Sequence, residues 1–295
     1  MTEPGGQSGP TALRIILGAH LRRMREAANI SRMDAGWEIR SSESKVSRME
    51  LGRVGFKERD VSDLLRLYGL DDGEERDRLL ALARDANNPG WWHRYGDVLP
   101  SWFHSYLGLE AAAQLIRTYE LQFVPGLLQT PEYVRAVVQL GRTTIPDQEI
   151  ERRVALRLSR QEALARPNPV KLWAVIDEAV LRRPIGGVKA MRVQLEHLIE
   201  ACRQPNITLQ VMPFSAGNPA TGGAYSILRF PEQDLPDIVY IEHLTSALYL
   251  DKLEDLDQYT ATMEALCVAA PPPSRTEGIL KDILNDFDTV QEAKQ

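Results

Sequence analysis

In the stretch SSESKVSRMELGR, residues 41–53, the side chains of Glu43, Ser44, Ser47 and Arg48 fall on the outward side of any helix that buries Val46 and Met49. Their chemistry is hydrogen bonding rather than bond making. Arg48 presents a planar fork that matches the paired acceptors of a guanine edge. Ser44 suits either kind of base edge, and Glu43 accepts from a cytosine amino group. Lys45 lies at the margin of that face, and Ser42 stands at its start, where a hydroxyl also caps the helix. Arg32 and Arg53, on either side, are placed to grip phosphate, which fixes register without reading sequence. The competing account of such a surface is a plain solvated helix rich in serine, so the rest of the chain has to decide.

No second constellation of this kind assembles elsewhere. Trp91, Trp92, Tyr95, Trp102, Phe103 and Tyr106 crowd one segment, as core, as an inter-domain seam, or as a surface for a ligand or partner. Glu120 lies within an apolar, strand-like run. Either it is buried and needs a partner such as Arg117, Arg135 or an aromatic hydroxyl, or it faces solvent on the outer side of a sheet. Trp91, Trp92 and Glu120 are therefore the candidates for a ligand or partner site. His93 and His104 lack a metal-ligand spacing, and Glu242 and His243 alternate onto opposite faces of a strand. ATGGAY, at 220–225, reads as a hairpin turn rather than a phosphate loop, and there is no Gly-x-Ser-x-Gly elbow. These residues point to no catalytic group, no metal and no cofactor.

The elements that must hold the outward face are short helices. From Ile15 to Ala28 the apolar residues Ile16, Leu17, Leu21, Met24 and Ala28 recur at helical spacing. Asn29 tolerates a left-handed turn, Ser31 caps a second helix running to Glu38, and Ser42 caps the third. A fourth helix is predicted at about 58–69, ended by Gly69, and a fifth at about 74–86. Short turns between them make an all-helical domain, which NNPGWW at 87–92 interrupts. Beyond it, helices are predicted at about 101–114, 131–140 and 147–165, in VKAMRVQLEHLIEACRQ, and from Leu253 to Ala270. Strands are predicted within AQLIRTYELQFVPG, VKLWAVIDEAVL, ITLQVMPF, AYSILRF, DIVYIEHL and ALYLD. Strands grouped rather than strictly alternating with helices predict an α+β domain with a mainly antiparallel sheet. PPPS reads as a stiff joint before a last helix at roughly 276–287.

A chain of 295 residues suits two domains, and its net charge of −6 excludes a general nucleic-acid coat. The charge is uneven. Residues 1–60 hold eleven Lys/Arg against eight Asp/Glu, and the remainder holds 24 against 33. The basic excess sits with the candidate face. Cys202 and Cys267 are too few for a disulfide framework, and no apolar run approaches the ~20 residues of a membrane span. MTEPGGQSGP lacks a signal-peptide pattern. The expectation is a cytoplasmic protein with no membrane association.

LGAHLRRMREAANISR followed by SSESKVSRMELG resembles the phage-repressor-like, or Xre-type, helix-turn-helix family, whose motif runs LR-x-x-R-E, then S, then S-x-S-x-V-S-R-x-E-x-G. The likeness covers about residues 15–70. It implies that Arg25 and Glu50 form an internal ion pair tying the recognition helix to its scaffold. Arg40 stands where that family usually has a turn glycine, Glu43 where many relatives have a neutral or basic contact, and Leu51 where a polar residue is common. The segment from NNPGWW to about residue 270 carries YE-x-x-x-VPGLLQT-x-x-Y from Tyr119 to Tyr133. It is similar to the C-terminal domain of actinobacterial WhiJ-like regulators, often labelled antitoxin-like, which implies a small partner protein encoded nearby.

The expected division is a flexible tail at 1–12, a helix-turn-helix domain at 13–87, an α+β regulatory and dimerisation domain at 88–270, and a Pro-rich joint with a C-terminal helix at 271–295. One recognition helix reads only a few base pairs, so the expected function is that of a homodimeric, sequence-specific repressor. Its partner is double-stranded DNA with an inverted-repeat operator, and its second domain receives a signal from a small partner protein or ligand. The alternative is an antitoxin-like protein that sequesters a partner and autoregulates its operon. An enzyme domain tethered to DNA is the remaining class, and no complete catalytic constellation supports it.

Overall fold

The computed structural model describes residues 10–292 apart from 89, 101, 141–144, 218–219, 221 and 232–235. Of the tail expected at 1–12, residues 1–9 lie outside the described residues. The first five elements are α1 (Pro10–Ala27), α2 (Arg32–Glu38), α3 (Glu43–Glu50), α4 (Glu58–Leu67) and α5 (Glu74–Ala86). α1 begins upstream of the apolar periodicity, at a proline, whose missing N–H and fixed φ suit a first helical turn. Leu17 and Leu21 of α1, Val46 and Met49 of α3, Leu64 and Leu65 of α4 and Ala83 of α5 close on one another around Phe56.

Four of these helices end in the same way. Asn29, Arg40, Gly52 and Gly69 each take positive φ, at 54°, 53°, 63° and 87°. In each case the next residue's N–H reaches back six residues' span to a carbonyl: Ile30 to Arg25, Ser41 to Gly36, Arg53 to Arg48, Leu70 to Leu65. This is the Schellman ending, in which a left-handed residue lets the last carbonyls be satisfied while the chain reverses. It is what makes the turns between these helices so short.

The remaining elements are α6 (Phe103–Ala112), β1 (Leu115–Glu120), α7 (Pro131–Gln139), α8 (Asp147–Ala165), β2 (Lys171–Asp177), α9 (Glu178–Arg182), α10 (Val188–Ala201), β3 (Ile207–Met212), β4 (Tyr225–Arg229), β5 (Ile238–Glu242), β6 (Ala247–Leu250), α11 (Leu253–Ala269) and α12 (Pro273–Glu292). The chain divides into two compact units, of which the first runs to Arg94 and takes in His104–Ala112, and the second contains the sheet. The strand order is β3-β2-β1-β4-β5-β6. β1, β2 and β3 run parallel, and β4, β5 and β6 add to β1 as an antiparallel meander. The sheet is thus mixed, with three of its five pairings antiparallel. The parallel half follows from connectivity. β1, β2 and β3 are separated by α7–α8 and α9–α10, long enough to return each strand to the same end.

Two local expectations change. VKLWAVIDEAVL is strand only to Asp177, whose side chain accepts the Ala179 N–H at 2.9 Å and starts α9. α12 begins inside PPPS at Pro273, a favoured first helical residue. It packs on α10 and β3, with the Thr276 hydroxyl donating to the Leu209 carbonyl at 2.7 Å.

Candidate nucleic-acid interface and a polar cluster in the second unit

The candidate face is carried by α3, and a serine caps the start of α3 and of α2 before it. The Ser31 hydroxyl accepts the Asp34 N–H at 3.1 Å at the start of α2, and the Ser42 hydroxyl accepts the Lys45 N–H at 3.3 Å at the start of α3. Val46 and Met49 are each 1% exposed and face the core. On the other side Glu43, Ser44 and Arg48 are exposed, Ser42 with them, and Ser47 and Lys45 are half-buried. The Arg48 Nε donates to the Ser44 carbonyl at 3.3 Å, lying along the helix rather than into the protein.

The charges around that face divide into engaged and unengaged. Arg25 grips Glu50 with two bonds, Nε to Oε1 at 2.5 Å and Nη2 to Oε2 at 3.2 Å, and Arg32 Nε adds a third at 3.0 Å to Oε2. Both Arg25 and Glu50 are buried. The hydrogen bond to Glu50 holds the Arg25 guanidinium above its ordinary range, against the opposing effect of burial. Lys45 Nζ meets the buried Asp60 carboxylate at 2.6 Å. Arg32 and Lys45 therefore have acidic partners inside the fold, whereas Arg48 and Arg53 have no carboxylate within ion-pair reach among the described residues.

Glycines set how closely α3 can sit. A Cβ on Gly18 would lie 2.5 Å from the Met49 carbonyl oxygen and 2.7 Å from that of Glu50, so only glycine lets α1 carry α3 at this distance. A Cβ on Gly36 would lie 2.9 Å from the Ser41 carbonyl oxygen, inside the turn between α2 and α3. Neither glycine, nor Asp60, stood out in the sequence. A glycine in the middle of an apolar helical run was the available signal.

The proposed ligand or partner residues fall in different units. Trp91 and Trp92 lie in a 3-10 turn of the first, edge to face at 5.8 Å. Trp92 is 2% exposed and Trp91 36%, so Trp92 serves the interior and only Trp91 offers surface. Glu120 lies in the second unit at the carboxyl end of β1. Its hydrogen-bond donor is the Thr118 hydroxyl at 3.2 Å. Neither of the arginines named as candidate partners takes that role, since Arg135 pairs with Glu151 at 2.7 Å and Arg117 lies over the Trp173 ring. Alternation along β1 puts Arg117 on the opposite face from Glu120, out of reach of its carboxylate.

Glu120 belongs to a larger polar cluster. On the same sheet face the Ser226 hydroxyl donates to the Thr118 hydroxyl at 2.9 Å, and the Tyr240 hydroxyl donates to Glu242 at 3.0 Å. Across from them α8 presents Arg157 and Arg160, three residues apart. Arg157 donates to the Gln129 side-chain oxygen at 2.6 Å, while Arg160 is buried, with its guanidinium 5.4 Å from the Phe103 ring centre. Burial pushes the Glu120 carboxyl up to about 7. The Thr118 hydrogen bond, Arg157 and Arg160 pull it down, and the charge of Glu242 pushes it up. Burial likewise brings the Arg157 guanidinium down to about 10, with the neighbouring charge of Arg160 adding to it.

Two family comparisons fit this architecture. A helix-turn-helix domain matches residues 16–79, which places the first unit among DNA-binding regulator modules. The family described as a domain of unknown function (DUF5753) matches residues 103–282, more than half of the chain, and the chain belongs to that family. No curated protein and no solved structure matches the chain. Among the described residues no helix is long and apolar enough to cross a membrane, and no group of three or more His, Cys, Asp or Glu is arranged to hold a metal ion.

Proposed function

We propose that the protein is an Xre-type, sequence-specific transcription regulator. It docks the Glu43–Arg48 face of α3 into the major groove as a homodimer on an inverted-repeat operator and acts by occluding a promoter. The second unit receives the signal that sets occupancy, from a small partner protein or a ligand. The observation that carries this reading is the exposure of Glu43, Ser44 and Arg48 on a capped helix, beside a helix-turn-helix match over residues 16–79. In this reading Arg48 contacts a guanine, Ser42, Ser44 and Ser47 contact base edges or nearby phosphate, and Arg53 grips the backbone. Lys45 and Arg32 reach phosphate only by sharing their charge with Asp60 and Glu50.

The test is a selection of bound duplexes from a random library, followed by titration of the best site. Arg48→Ala is expected to cost about 1–3 kcal/mol of specific affinity and to relax preference at one position per half-site. Unaltered preference in the variant would remove Arg48 from the reading.

A further inference from the structure

The sheet of the second unit treats its two edges differently. β3, at one edge, is covered by α12, whose Thr276 hydroxyl donates to the Leu209 carbonyl. β6, at the other, has no strand on its outer side among the described residues. It pairs with β5 at four consecutive positions, from Glu242 with Ala247 to Val239 with Leu250. In an antiparallel pair every second residue of the edge strand turns its N–H and C=O away from its neighbour, so one row of backbone groups on β6 points away from β5. Natural edges are blunted by a bulge, a proline or a charge within the strand. Ala247–Leu250 carries none of these, and its register with β5 is unbroken.

The residues around that edge form a pattern that reads the same from both ends. The stretch 244–253, LTSALYLDKL, runs as a leucine, two polar residues, four apolar residues, two polar residues and a leucine. Leu244 is 98% exposed, Leu253 72% and Leu248 47%. Thr245, Ser246, Asp251 and Lys252 are exposed as well. Leucines facing water along an open strand mark a contact surface. The symmetry of the pattern names the occupant. When a strand pairs antiparallel with its own copy about a two-fold axis through its centre, each end lies beside the other end of the copy. For β6 that sets Leu244 towards Leu253, Thr245 and Ser246 towards Lys252 and Asp251, and Leu248 towards Tyr249. Apolar residues meet apolar ones throughout, and neither Asp251 nor Lys252 meets a like charge. An unrelated extended peptide would gain the same backbone bonds but would leave the mirrored leucines without a reason.

We infer that β6 is a self-association edge, at which two copies of this chain pair β6 against β6 antiparallel and join their sheets across a two-fold axis. This deepens the proposed reading, on whose homodimer it rests, by naming the surface that joins the copies. A two-fold contact uses the same patch on both partners and closes on itself. It therefore yields a dimer rather than a fibre, which answers the aggregation hazard of an open apolar edge.

The test is sedimentation equilibrium of the full chain, without DNA, over a series of nanomolar to high micromolar concentrations. The wild-type chain is expected to be dimeric in the micromolar range. Leu248→Lys, which sets two like charges close to the axis, is expected to weaken association by about tenfold or more. Leu244→Lys and Leu253→Glu, at the two ends of the patch, are each expected to weaken it too. Mixing these two variants is expected to restore association, because the new side chains then face each other with opposite charge. All three sites are exposed, so the fold is expected to survive, which far-ultraviolet circular dichroism checks. A wild-type chain that stays monomeric overturns the inference. A dimer indifferent to Leu248→Lys overturns it as well, while leaving a homodimeric regulator that joins elsewhere. Mixed variants that fail to associate overturn the antiparallel pairing and the inference with it. Because the readout contains no DNA, failure of α3 to bind a duplex leaves this result standing.

Discussion

Glu50 and Glu120 are both carboxylates shielded by protein, and they have opposite consequences. Glu50 receives three hydrogen bonds from Arg25 and Arg32, so removing one side strands charge in the interior. Arg25→Met or Glu50→Met is expected to destabilise the first unit by about 3–5 kcal/mol in urea unfolding. The double replacement is expected to cost clearly less than the sum of the two, since it leaves no orphaned partner on that pair. Strict additivity would show that the pair is not coupled. Glu120 has no such support. Its folded-state carboxyl holds a proton up to about 7, whereas the unfolded chain releases it near 4.5. Between those values the unfolded state binds fewer protons, so stability falls as pH rises through that window and is level above it. Glu120→Gln is expected to be the more stable protein at about pH 8, by up to roughly 3 kcal/mol, and to match the wild type at about pH 4. A variant that is less stable at high pH would show that the Thr118 hydrogen bond, Arg157 and Arg160 outweigh burial and favour the ionised form.

At the level of elements the shared helix endings matter most, because two of them, at Arg40 and Gly52, set the turns on either side of α3. Two of the four left-handed positions are glycine and one is asparagine, all tolerant of positive φ. Arg40 is the exception, exposed and held at φ 53° between α2 and α3. Arg40→Gly is expected to stabilise the first unit by about 1 kcal/mol, the usual cost of a side chain in that conformation. Differential scanning calorimetry reads it, and a lowered melting temperature would mean that the arginine makes a compensating contact. Ser31, Ser42 and Gly69 were legible in the sequence because capping and reversal depend on neighbours a few residues away. Val46 and Met49 were legible because helical periodicity separates a buried from an exposed side. Gly18 and Asp60 were not, since their roles depend on which helix arrives opposite. The same limit hid the parallel half of the sheet. Each strand was visible, but strand direction is set by the helices between strands, which periodicity within a strand does not orient. The charged neighbours of Glu120 were hidden likewise, because Arg157 and Arg160 lie on a helix whose packing partner no local pattern names.

For the whole molecule the question is how a chain of net charge −6 would approach an acidic polymer. Screening shortens the reach of charge to about 10 Å in ordinary salt, so DNA docked on α3 would sense the charges close to that helix rather than the net charge of the chain. In the proposed complex, binding is expected to weaken linearly in log affinity against log salt, with a slope of about 0.9 for each phosphate neutralised. The internal pairs divide the cations in advance. Arg53 has no carboxylate within ion-pair reach among the described residues, whereas Lys45 lies 2.6 Å from Asp60. Arg53→Ala is therefore expected to lower the slope by about 1 per half-site. Lys45→Ala is expected to leave the slope nearly unchanged and instead to lower folding stability, because buried Asp60 loses its partner. Fluorescence anisotropy with one operator duplex over a salt series separates the two. Equal loss of slope in both variants would mean that Lys45 exchanges Asp60 for phosphate on binding, which makes the α3–α4 contact part of the DNA-bound conformation. An unchanged slope in Arg53→Ala would instead move the backbone grip away from the end of α3 and redraw the docking orientation.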